Sequence, residues 1–314
     1  MDTHPVNYDD EVAAGSSLWR DAWRRLLKNK LAVFGMVVVI AVTLACVIGP
    51  TLIRRATDYA YDVIPKETRL TKSFPPFRSP EGTFSWTHPM GTDNAGRDIM
   101  ARVLSGGQIS LMVALIATLV SLVIGVSYGA IAGYVGGRID DVMMRVVDVL
   151  YSLPYVIIVI VLLALLPAKT PTGQLAELFF ALGAVSWLTM ARIVRGQVMS
   201  LRNQDFVLAA RATGVSTTKI IFRHLVPNAL GPVIVYATLT IPSVMLSEAF
   251  LSFLGLGVRP PRVSWGSLAA DGAQTLAIFP WQLIFPGVTM ALMLLSLNFL
   301  GDGLRDALDP QMRK

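Results

Sequence analysis

The sequence predicts an all-α integral membrane protein, and three observations carry that prediction. Its 314 residues are 54% hydrophobic and only 15% charged, with a mean hydropathy of +0.57; a soluble domain holds roughly 45–50% apolar and about 25% charged residues. Apolar runs recur at about 20 residues, the length a helix needs to cross a bilayer core. The Lys and Arg sit beside those runs, so the net charge of +6 reads as positive-inside topology. No basic face interleaved with aromatics is present to bind nucleic acid.

Residues 1–17 are polar and read as a loose tail. Leu18 to Lys28 places apolar residues at helical spacing opposite a basic face, with Trp19 and Trp23 suited to the headgroup zone. Residues 1–30 are thus a cytoplasmic tail and interfacial helix, whose basic cluster holds the N-terminus inside. Residues 31–53 form the first span, too long for the core of a signal peptide. The single cysteine, Cys46, lies in it, so no internal disulfide or cysteine-based metal cluster is available.

Residues 54–107 are polar and rich in proline, with eight Lys/Arg, and are expected to form an extracytoplasmic subdomain. Residues 108–300 are the core, with spans two to six. Span two covers Leu111 to Ala132, where Ser121, Gly125, Gly129 and Gly133 recur every four residues and allow close helix approach. After a Gly136-Gly137 turn, Asp141, Arg145 and Asp148 are spaced for a local ion pair. Span three runs from Val149 to Leu166 with a kink at Pro154, and span four from Leu178 to Val194. Span five, Leu230 to Leu254, is interrupted by Pro232 and Pro242; span six, Ile278 to Leu300, by Pro286. Residues 301–314 are a charged tail. Six spans with both ends in the cytoplasm is the simplest arrangement.

Between spans four and five lies a polar, basic island, part of a cytoplasmic loop at 196–228. Six Lys/Arg fall between Arg192 and Arg223. In the stretch Asp205 to Asn228, Ala209, Ala210 and Ala212 precede Gly214, the pattern of a helix closed by a left-handed glycine. Ser216 is placed to cap a second helix, Thr218 to Leu225, which Pro227 stops. A helical hairpin pressed between two spans is the expectation.

Enzyme chemistry finds little footing. Gly91-Thr92-Asp93-Asn94-Ala95-Gly96-Arg97-Asp98 has the glycine spacing of a phosphate loop, yet Arg97 and Asp98 stand where the Lys and Ser/Thr must be. His4, His88 and His224 are scattered, and no metal or acyl-transfer motif occurs. Glu248, beside Ser247 and Ser252, is the ionisable residue well inside a span, a site for the pathway or for a helix–helix hydrogen bond. Asn298 in span six is open to the same two readings. The chain is expected to be a non-enzyme, with no catalytic, cofactor or metal residues of its own.

Ala209-Ala210, Gly214 and Val226-Pro227 resemble the "EAA" loop of ABC importer permeases, with Leu208 at the motif's glutamate and His224 at its usual hydrophobe. Gly91-Thr92-Asp93 through Gly96-Arg97-Asp98, Phe250 to Gly257, Ser264-Trp265-Gly266 and Gly301 to Pro310 resemble the C-type subunits of dipeptide and oligopeptide permeases. The resemblance spans nearly the whole chain. It implies a type I importer fold in a bacterial inner membrane and a heterodimer with a B-type permease subunit. It also implies two cytoplasmic ATPases that bind the ATP and Mg²⁺, and an extracytoplasmic solute-binding protein; lipid is the remaining partner. It makes Ala209, Ala210, Gly214, His224, Pro227 and Asn228 ATPase-coupling residues. Peptides are the implied substrate, with glutathione or a nickel chelate as the alternatives within the family. A secondary transporter is the competing class.

Overall fold

The computed structural model describes residues 18–57, 59–69, 73–78, 82–165, 167–168 and 170–308. The expectations for residues 1–17, the Trp19 side chain and the end of the tail lie outside the described residues. The described chain is helical, with isolated bridges at Arg78–Phe84 and Thr92–Asp98. Among the described residues, five helices are long and apolar enough to cross a membrane, or six if one bent pair counts as a span.

Helix α1 (Leu18–Lys28) lays Ala22 and Leu26 against Ala32 and Ala307. The Asn29 side chain then accepts from the backbone N–H of Leu31 and Ala32, at 3.1 and 3.2 Å, and starts α2 (Lys30–Thr57). The next long helix, α3 (Ile99–Val135), begins before the boundary expected at 107/108, because Asp98 caps it by accepting from Ala101 N at 2.7 Å.

The glycine repeat on α3 faces α6 (Pro171–Leu201). A Cβ on Gly125 would strike Met190, one on Gly129 the Ala191 carbonyl, and one on Gly133 the Arg195 carbonyl. Ser121 Oγ donates to the Ser186 carbonyl across the same seam, at 2.9 Å. Absent side chains let the two backbones close on each other, which is what holds helices together where lipid removes any hydrophobic drive.

Span three is not one kinked helix. α4 (Gly137–Ser152) and α5 (Tyr155–Leu165) meet at 93°. Leu153 is extended, at φ −83° and ψ 139°, because a following proline excludes the helical region. The expected ion pair within α4 also gives way to pairs with α6: Asp148 meets Arg192 at 2.8 Å, and Asp140 accepts from Nε and Nη2 of Arg195, at 2.5 and 2.6 Å.

Helix α10 (Leu230–Phe253) runs through both prolines expected to break it. Pro232 lies in its first turn, where no intrahelical N–H bond is lost, and Pro242 is buried among its neighbours. α12 (Trp281–Leu308) likewise continues through Pro286 and past residue 300, into the stretch expected to be tail. Between α10 and α12 lies the short α11 (Trp265–Gln274), pinned by Trp265: its ring N–H donates to the Val103 carbonyl at 2.8 Å and its backbone N–H to Ser110 Oγ at 3.0 Å.

Candidate functional site

The loop between α6 and α10 is built from short helices. α7 (Asp205–Ala212) ends in a Schellman motif: Val215 N donates to the Ala210 carbonyl and Gly214 N to the Arg211 carbonyl, both at 3.0 Å. Gly214 sits at φ +75°, in the left-handed region that glycine enters at little cost. This matches the sequence expectation.

The second half does not stop where expected. Ser216 precedes α8 (Thr217–Lys219) but makes no side-chain cap. The chain then winds as a π-helix over Ile220–Leu225 and passes through α9 (Val226–Asn228) into α10. Pro227 cannot donate to a carbonyl four residues back, and its ring would clash there. The wider turn, in which Val226 N donates to the Ile221 carbonyl, takes the chain past it. The proline therefore shapes the helix without ending it.

Val207, Ala210, Ile220, Ile221 and Leu225 face inward and pack with Ala130, Met190, Val194, Val198 and Val233. The loop is a lid on the ends of α3, α6 and α10, fastened by two arginines. Arg202 donates to the Gly133 carbonyl at 3.1 Å. Arg211 donates to the Tyr134 hydroxyl at 3.1 Å, its guanidinium 4.9 Å from that ring's centre.

The opposite face is open. Leu208 is 48% and Phe222 45% exposed, among exposed Ala209, Arg211, Ala212, Lys219, Arg223, Pro227 and Asn228. The six residues singled out from sequence thus divide. Ala209, Gly214, Pro227 and Asn228 are exposed and His224 is half-buried. Ala210, only 8% exposed, belongs to the inner packing. Asn228 Nδ2 donates to the His224 carbonyl at 2.6 Å. Phe222 is a further surface residue that no motif in the sequence marks, since Leu225, three residues on, faces inward.

The other candidates lie elsewhere. Glu248 is 1% exposed and accepts from Ser252 Oγ at 2.8 Å and Ser264 Oγ at 2.6 Å. Ser264 also caps α11, exchanging reciprocal hydrogen bonds with Ser267, so Glu248 ties α10 to the start of α11. Asn298 is exposed and donates to its own helix, at the Leu294 carbonyl.

The glycine-spaced stretch 91–98 forms an Asp-centred turn. Asp93 accepts from the backbone N–H of Ala95 and Arg97, at 2.9 Å each, and from Arg97 Nε at 2.8 Å. The Thr92 carbonyl takes the side chains of Trp281 and Gln282, docking the turn on α12. With its carboxylate turned onto its own N–H groups, the turn presents no cradle for an anion.

Residues 125–314 match the family model described as "Binding-protein-dependent transport system inner membrane component". Residues 17–76 match the "N-terminal TM domain of oligopeptide transport permease C". The chain is similar to the oligopeptide transport system permease protein OppC of Escherichia coli K12, at 47% identity over 98% of this chain and 96% of that one. It is also similar to the dipeptide transport system permease protein DppC of Bacillus subtilis, at 43% identity over 95% and 87%. Among solved structures, an inward-facing form of the MetNI methionine ABC transporter superposes with a TM-score of 0.53 at 21% identity, covering 67% of this chain and 98% of that chain.

Proposed function

The chain belongs to the inner-membrane components of binding-protein-dependent transport systems, with the type I ABC importer permease fold, and from that premise we propose that it carries oligopeptides or dipeptides inward as one half of a two-subunit pathway. It is a membrane permease subunit of the bacterial inner membrane. The peptide class is supported by relatives of both names that align over nearly the whole chain.

In this reading the subunit is non-catalytic. Two ATPases on the cytoplasmic side bind ATP and Mg²⁺, a B-type permease supplies the other half of the pathway, and a solute-binding protein delivers peptide from outside. The single observation that carries the energy input is the two-faced loop of residues 205–228. Its inner face is packed onto three spans, and its outer face shows Leu208 and Phe222 to a partner. A partner that moves this lid moves α3, α6 and α10 with it, a rigid-body switch between pathway openings.

The test is uptake by proteoliposomes holding the permease pair, the ATPases and the binding protein. Peptide accumulation is expected to require internal ATP, to stop with orthovanadate and to persist with a proton uncoupler. Uptake that follows the proton gradient without ATP would place the chain among secondary transporters.

A further inference from the structure

Halfway along the spans, a cavity of about 510 Å³ opens between the α4–α5 bend, α6 and α10. That volume lies in the range of small-molecule sites, about 300–1,000 Å³. Its polar lining is made of hydroxyls: Tyr155 from α5, Ser186 and Thr189 from α6, and Tyr236, Ser243 and Ser247 from α10. Among the described residues no Asp, Glu, Lys, Arg or His lines it.

The arrangement on α10 follows a rule. Tyr236, Thr240, Ser243 and Ser247 are spaced i, i+4, i+7 and i+11, one face of the helix, and every position carries a hydroxyl. Such a stripe at mid-membrane depth is costly against lipid and belongs against protein or water. Thr240, Ser243 and Ser247 each donate to a carbonyl four residues back, which leaves their lone pairs to accept N–H groups. The Tyr155 hydroxyl is cut off from solvent, but the hydroxyls of Tyr236 and, facing it from α6, Thr189 also line the cavity and can donate to a carbonyl. Charges stand beside it at Arg192, which lies 4.2 Å over the Tyr151 ring and pairs with Asp148, and at Glu248, next to Ser247 and turned onto Ser252 and Ser264.

We propose that this uncharged, hydroxyl-lined cavity is where the chain contacts the main chain of a peptide in transit, reading amide N–H and C=O groups and leaving side-chain charge unread. The inference rests on the peptide reading above. Acceptors in a row along α10 with a donor facing them match an extended backbone, which offers both groups at every residue. A wall with no charged side chain of its own, beside charges already held by partners, favours neither lysine nor glutamate side chains.

The test uses the full assembly in proteoliposomes with two tripeptides, Ala-Lys-Ala and Ala-Glu-Ala, at saturating binding protein. Ser243→Asp should depress uptake of the glutamate peptide relative to the lysine peptide about tenfold against wild type, since a like charge within a few ångströms costs more than that at low effective dielectric. An unchanged ratio in an assembled, ATP-hydrolysing complex overturns the proposal. If Ser243→Asp fails to assemble, Ser243→Cys decides: a membrane-impermeant thiol reagent should label it during turnover, and peptide should slow that labelling. Native Cys46 is buried and contributes little background. Absence of labelling would mean that a partner helix fills the cavity, and the proposal falls. Wild-type vesicles that import neither peptide would overturn the peptide reading, and this inference with it.

Discussion

At the scale of single residues, Glu248 shows how a charge-bearing side chain can be spent on architecture. Its carboxylate collects two serine hydroxyls and joins α10 to α11. Glu248→Gln keeps an acceptor oxygen for both. Glu248→Leu leaves two buried hydroxyl donors without an acceptor, at about 1–3 kcal/mol each. The purified assembly with Glu248→Leu is therefore expected to unfold several degrees below wild type, and Glu248→Gln close to it. Equal thermal midpoints for the two variants would contradict the bracing role. From sequence, the depth of Glu248 in its span and its neighbour Ser252 were legible but its second partner was not: Ser264 lies across a loop, and only the packing of α11 brings it near.

At the scale of elements, the loop of residues 205–228 separates residues that hold it from residues it displays. Ala210 is packed inward and Phe222 is open. Phe222→Asp is expected to leave the permease folded and to reduce ATPase co-purification several-fold, because it places a charge in an apolar contact. Ala210→Asp buries a charge inside the permease itself and is expected to lower the yield of folded chain. ATPase retention equal to wild type in Phe222→Asp membranes would remove that face from the docking surface. The first half of this loop was readable because a Schellman ending has a local signature in Gly214. The second half was not, because proline can be passed by a π-turn, a choice made by tertiary packing. The same reason explains α10 and α12, whose prolines bend no helix out of its span, and Pro154, which turns one by 93°. Proline removes a donor in each case; what the helix does next depends on what surrounds it.

At the scale of the whole molecule, the pieces form a lever. Gly125, Gly129 and Gly133 lock α3 onto α6, Arg195 locks α4 onto α6 through Asp140, and Arg202 and Arg211 fasten the loop to the end of α3. The small-residue repeat was evident in the sequence; the three arginine fastenings join residues 55 to 77 positions apart and no local pattern announces them. Any displacement of the loop is thereby shared by the helices that line the hydroxyl-walled cavity. The most direct measurement of this account is the number of ATP molecules hydrolysed per peptide imported by the full assembly carrying Gly214→Pro, beside Gly214→Asn. Proline fixes φ near −65° where the loop holds +75°, and it removes the N–H that closes the Schellman motif; asparagine tolerates the left-handed region. Gly214→Pro should therefore hydrolyse ATP with little or no import while Gly214→Asn stays near wild type. Wild-type stoichiometry in Gly214→Pro would contradict the claim that the loop carries the energy input.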